Sequence, residues 1–178
     1  MTRRQQAAIF WALFAATTLV YVIMVFWSLP KISAMAGGQI PFDLRPMGYS
    51  LEEAQNFLGA LSDEGRTFYR GTQHSLDTLY PPLLAATLGL GSWIMSPASS
   101  RLVRMLLSGL AVPGLGFDLA ENHAVSGLLA MPVAAVDAEA VMIASALTAL
   151  KSLFTTIAMT MLLVLTLAWA WRRWKRPA

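Results

Sequence analysis

The sequence predicts an all-α membrane fold: a four-transmembrane-helix bundle with an extracytoplasmic loop containing one short amphipathic surface helix. Three observations carry that prediction. Hydrophobic residues make up 56% of the 178 positions and charged residues only 13%, roughly half the charged share of a soluble domain. Apolar stretches near the roughly 20 residues that a helix needs to cross hydrocarbon recur at about 7–29, 76–95, 101–129 and 139–171. Basic residues gather beyond the ends of these stretches, more on one side than on the other, as they do around membrane spans. A single integral membrane domain over 1–178 follows, because the crossings and the loop 30–75 use the whole length.

Composition also excludes. The chain has no cysteine, so disulfides, thiolate metal sites and thiol redox chemistry are absent together. Its net charge of +3 comes largely from basic clusters at the two ends and reads as membrane topology. Nucleic acid is not expected as a partner, since that would want a basic patch interleaved with aromatics on a soluble surface.

The first span, Ala7 to Leu29, follows the basic pair Arg3 and Arg4 and runs without a charge to Pro30. A cleaved signal peptide competes, because Ala34-Met35-Ala36 follows. Its apolar region would be only about 7–15 residues long, so an anchor that stays is expected. The outer loop opens with Gly37, Gly38, Pro41 and Pro46, which predict irregular backbone. Ser50 with Glu53 makes a capping box ahead of Ala54, Phe57, Leu58 and Leu61, predicting an amphipathic helix over 51–61 along the membrane surface. Ser62 and Asp63 offer a second N-cap for a helix that runs on into the second span.

That span contains Pro81 and Pro82. Proline removes a backbone donor, so a kink is expected just beyond Asp77, and the freed carbonyls need partners inside the protein. The third span has its own breaker at Pro113-Gly114 and Gly116. A turn with Pro132 and Asp137 leads into the fourth, which ends in Arg172, Arg173, Lys175 and Arg176, an anchor for anionic lipid. Eight basic residues (Arg3, Arg4, Arg101, Arg104 and these four) fall on one side, against Lys31, Arg45, Arg66 and Arg70 on the other. Both termini are therefore expected in the cytoplasm.

The sequence then places ionisable groups at one depth. Asp118 and Glu121 follow Arg101 by 17 and 20 residues, or about 26 and 30 Å of helix. Asp77 lies 19 residues before Ser96 and Lys151 lies 20 before Trp171, which gives about 28 and 30 Å. Tyr21, 17 residues after Arg4, comes to about 26 Å. Asp118, Glu121 and Asn122 share one helical face, extended by Gly114 and Val125, whose small members let another helix approach. Thr148, Lys151 and Thr155 stack in the same way, and Asp77 and Tyr80 complete the layer.

Charges inside a membrane are costly and mark either a packing network or a ligand path, and both readings are open here. Asp77, Asp118 and Glu121 outnumber Lys151, so a proton, a cation, or Arg66 or Arg70 from the loop must balance the excess. His74 and His123 could join Asp77 and Glu121 around a metal. Their spacing is no ligand motif and His123 points away from the Glu121 face, so no metal is expected and both read as interfacial histidines. Six tryptophans near the span ends read as an interfacial belt. No motif identifies a cofactor, which stays unknown from the sequence. The leading expectation is a lipid-like or small polar ligand, or a partner subunit, bound at the layer. An intramembrane enzyme using Glu121 or Asp118 as acid/base beside Lys151 is the second, and an oligomeric ion or proton-coupled transporter the third.

LDTLYPP (Leu76 to Pro82), DLAENH (Asp118 to His123) and the lysine of TALKSLF (Lys151) together resemble a group of bacterial four-span membrane proteins. In that group an Asp near a Tyr-Pro step, an Asp-x-x-Glu-Asn run and a last-span lysine recur. A bacterial inner-membrane location is expected, with membrane lipids and a partner membrane subunit or a second copy as partners; the resemblance itself adds only the positions to test. It marks Asp77, Pro81, Asp118, Glu121, Asn122 and Lys151 as the positions to test, and implies no activity.

Overall fold

The computed structural model describes residues 1–97 and 100–175. Helix accounts for 86% of the described residues, and none of them is in a strand. The expected anchor at Arg176 lies outside them. Three helices are long and apolar enough to cross a membrane: α1 (Arg3–Met35), the pair α5 (Arg101–Gly109) and α6 (Ala111–Ala130), and α7 (Ala138–Trp174). Between α1 and α5 lie α2 (Leu51–Ala60), α3 (Asp63–Phe68) and α4 (His74–Met95).

Helix α1 does not stop at Pro30 as the sequence predicts. Thr2 starts it with a capping box, its Oγ1 accepting from the Gln5 N–H at 3.3 Å while Gln5 Oε1 accepts from the Thr2 N–H at 2.8 Å. It then passes Pro30 by way of a π-helical turn, Met24–Ser28. A proline ring crowds the turn before it, and here that turn is the wide one. A second π turn, Tyr69–Gln73, joins α3 to α4 and faces the first. The two are joined where Ser28 Oγ donates to Gln73 Oε1 at 2.6 Å, with neither residue exposed.

Helix α4 has the length to span but is not among the three apolar enough to do so. It packs against α1, α5, α6 and α7. With neighbours on most sides it can carry Asp77, Thr87 and Ser92 buried against protein. Pro81 and Pro82 sit inside this one continuous helix. The third span breaks near its own proline. Pro113 supplies no N–H to the Gly109 carbonyl, and the helix is interrupted one turn upstream of the proline, at Leu110.

The largest apolar core lies at one end of these helices, beneath residues 37–62. Ile32, Phe42, Ala54, Phe57 and Leu58 are fully buried there, whereas only 11–17% of the most apolar windows of the three long helices is buried. Segment 37–62 is therefore a packed cap. This corrects the expectation for the amphipathic helix. Its box forms as the spacing predicts, with the Glu53 N–H on Ser50 Oγ and the Ser50 N–H on Glu53 Oε2, and these bonds hold the Glu53 carboxyl below its ordinary range. Its apolar face, however, is buried against Phe42 and Tyr69 and not laid on a surface.

The cap docks on α7 at one close contact. Gly48 has φ +85°, and a Cβ there would lie 2.5 Å from Ser145 Oγ, the same hydroxyl that accepts the Tyr49 N–H at 2.7 Å. Gly48→Ala should cost about 3 kcal/mol, the left-handed penalty plus the displaced contact. Gly38→Ala, also left-handed at φ +87° but with nothing within 4 Å, should cost only about 1 kcal/mol. Thermal unfolding of the two variants in detergent compares them, and equal losses would refute the docking contact.

Candidate functional site: a buried carboxylate cluster

The polar layer forms where α4, α6 and α7 meet under the cap. Helix α6 turns Gly114, Asp118, Glu121, Asn122 and Val125 inward, all buried, as the three- and four-residue spacing dictates. At Gly114 the backbone of α7 comes so close that a Cβ would lie 3.0 Å from Thr155 Oγ1. That approach brings Lys151 and Thr148 against Glu121. Lys151 Nζ donates to Glu121 Oε2 at 2.5 Å and to Asp118 Oδ1 at 3.2 Å, and Thr148 Oγ1 donates to Glu121 Oε1 at 2.8 Å. Both oxygens of a fully buried carboxylate are thus held from α7.

Asp77 enters from α4, 6% exposed. Pro81 deprives the Asp77 carbonyl of its helical donor, and Asn122 Nδ2 donates to that carbonyl at 2.7 Å. Asn122 therefore serves the backbone carbonyl of Asp77 and not its carboxylate.

The cap supplies what the sequence reading missed. Asp43, in the 3₁₀ turn Phe42–Leu44, hangs into the layer, and one carboxylate oxygen each from Asp43, Asp77 and Glu121 lie within 4.8 Å of one another. The Tyr69 hydroxyl donates to Asp43 Oδ2. Tyr49 is 8% exposed and turns its phenol toward Glu121 and Thr148. It lies close to Thr148 but makes no hydrogen bond of proper geometry. Burial first, then the Glu121 charge for Tyr49 and the Asp43 charge for Tyr69, pushes both phenols above their ordinary range. They stay neutral donors at physiological pH. The only local signal for Asp43 was a lone acid between Phe42 and Leu44, in a stretch whose irregular backbone gives no facing rule.

Other expected members stand elsewhere. Arg66 does not complete the cluster: it donates to the Leu129, Met131 and Leu58 carbonyls at 2.7, 3.3 and 3.2 Å, closing the end of α6, and Arg70 is exposed. Tyr80 is half-buried with its ring stacked on the exposed Tyr21 at 5.9 Å, so the pair packs and does not bond the acids. His123 is exposed. His74 lines the mouth of a narrow crevice with Tyr69, Arg70, Asp77 and Asn122. The group that could hold a metal is Asp43, Asp77 and Glu121, not the histidine set.

Four carboxyl groups therefore face one ammonium. The crevice at Asp77 and a second one at Asp118 each hold about 10 Å³, near the limit for a single water. Neither crevice is large enough for an organic molecule.

Asn122→Leu should cost about 1–3 kcal/mol by stranding the Asp77 carbonyl. Pro81→Ala restores the missing N–H, so the double variant should recover about 1 kcal/mol relative to the sum of the singles. Unfolding free energies of the four-member cycle test this, and strict additivity would show that Asn122 does not serve that carbonyl.

No protein-family model, curated protein or solved structure matches this chain.

Proposed function

We propose that this chain is a four-span integral protein of a bacterial inner membrane, with both termini cytoplasmic, that binds one divalent cation between Asp43, Asp77 and Glu121. The membrane reading is supported by three helices of sufficient length and apolarity and by the outward Trp11, Phe14, Leu19, Leu163 and Leu167 along them. Helix α4 is the fourth span in this reading, shielded by its neighbours. The observation that carries the cation is the meeting of three carboxylates from three separate segments within 4.8 Å.

That separation suits one ion. Oxygen ligands sit about 2.0–2.6 Å from magnesium or calcium, so ligands on opposite sides of an ion lie about 4–5 Å apart. An all-oxygen donor set selects magnesium, calcium or manganese over softer metals. Charge points the same way. Asp43, Asp77, Asp118 and Glu121 carry four negative charges when ionised, Lys151 returns one, and a divalent ion leaves one in place of three. The phenol of Tyr49, buried without a bonded partner, faces this group and can donate to a cation-bound water. The crevices at Asp77 and Asp118 are too small for a lipid-like ligand or an organic substrate, and the small polar ligand expected from the sequence is best read as a cation. A packing network without any ion is the competing account.

Elemental analysis and thermal unfolding of the detergent-purified protein separate the two. Protein stripped with EDTA should gain stability on adding magnesium, calcium or manganese, by about 2.7 kcal/mol at a hundredfold excess over Kd. Asp43→Asn and Asp77→Asn should abolish that gain, yet unfold no more easily than the stripped parent because like charges have been thinned. Curves that ignore all three cations, in a protein that carries no metal as purified, would leave only the packing network.

A further inference from the structure

A cavity larger than the crevices at Asp77 and Asp118 lies away from the carboxylate layer. It holds about 570 Å³, within the roughly 300–1,000 Å³ range of small-molecule sites, and opens where the start of α1, the end of α4, the start of α5 and the end of α7 converge. Arg3, Arg104, Arg172 and Arg173 line it with Trp93 and Trp169, and no Asp or Glu does. None of these four arginines is in a salt bridge among the described residues. Along α7 it is 21 residues from Lys151, or roughly 32 Å, so it is separate from the cation site.

Three of its guanidinium groups are held by neighbouring rings or carbonyls, and no carboxylate among the described residues pairs with them. Arg104 lies over the Trp93 ring at 5.5 Å and donates from Nη2 to the Ser96 carbonyl at 3.3 Å, while its Nε is buried without an acceptor. Arg173 lies over Trp169 at 4.8 Å, and Arg172 Nε donates to the Ala168 carbonyl at 3.0 Å. Stacking on an indole fixes a guanidinium plane and leaves its N–H edge free for the oxygens of a carboxylate or phosphate. Buried donors with no partner are costly, and four converging cations repel each other unless an anion sits among them.

We propose that this cavity binds a phosphate anion, supplied by the headgroup of an anionic phospholipid in the leaflet next to the chain termini. Phosphate oxygens satisfy the free Arg104 Nε and bridge to the arginines of α7. The glycerol and acyl portions leave along the flanking tryptophans, which favour the interface between headgroup and hydrocarbon. The inference rests on the membrane reading above and is independent of the cation.

Native mass spectrometry of the full chain in detergent, with phosphatidylglycerol and phosphatidylcholine offered in equal amounts, tests it. Phosphatidylglycerol should be retained roughly tenfold better. Arg173→Gln, at an exposed position, should cut that preference about fivefold, and adding Arg104→Gln about fivefold more, with the helical circular dichroism signal kept. If Arg104→Gln fails to fold, the single Arg173→Gln variant still decides. Equal retention of the two lipids, or a preference untouched by Arg173→Gln, would overturn the site. Phosphatidylglycerol that resists excess inorganic phosphate supports the lipid as source, and displacement overturns that assignment in favour of a soluble phosphate. A chain that stays monodisperse without detergent would instead sink the membrane reading itself, a result distinct from the loss of lipid preference.

Discussion

Burying the Glu121 carboxylate is the constraint around which the rest of the protein is arranged. A buried carboxylate without partners is untenable in a low-dielectric interior, and Glu121 meets this with Lys151 on one oxygen and Thr148 on the other. Both donors come from α7, one turn apart, so the pair sets the register of α6 against α7 as well as the local charge. The bare backbone at Gly114 makes the approach possible. Asp118 then shares the ammonium, and any further acid brought to this level adds charge that Lys151 cannot balance.

The cap adds such an acid. Phe42 and Tyr49 anchor the segment in the apolar core while Asp43, between them in sequence, is turned onto the layer. An acid delivered beside two others is unfavourable on its own terms, which is why a cation is the natural reading of the site. Tyr69 bonds Asp43 and is itself kept neutral by burial and by that carboxylate. The cap is therefore both the lid of the core and a contributor to the cluster, and the Gly48 contact with α7 is what seats it.

Backbone satisfaction explains several polar side chains that a functional reading would otherwise claim. Asn122 serves the carbonyl freed by Pro81, and Arg66 serves the open carbonyls at the end of α6. Both sit within or near the motifs that draw the eye to this protein, and both do structural work. The tryptophans divide similarly. Trp27 packs edge-on against Phe68, whereas Trp93 and Trp169 stack under arginines and shape the basic cavity. Two polar regions result, one acidic beneath the cap and one basic beside the termini, about one helix length apart.

Much of this was legible beforehand because it depends on local repeat geometry. The long apolar runs, the cap boxes at Ser50 and the shared face of Asp118, Glu121 and Asn122 follow from residue order at a fixed rise and turn per residue. The depth count brought Asp77 and Lys151 to that face for the same reason, and the structure has all of them in one layer. It could not place Tyr21, whose height is right but whose direction is outward.

Taken alone, the chain's composition and spacing determined that it is helical, that parts of it are apolar enough to cross a membrane, and that acids and a lysine share one level. Only the tertiary structure decided that Asp43 and Tyr49 reach that level, that Arg66 does not, and that four arginines from three helix ends line one cavity. The physical reason is that a helix carries its facing rule in its sequence, whereas an irregular segment or a helix end is placed by what it packs against.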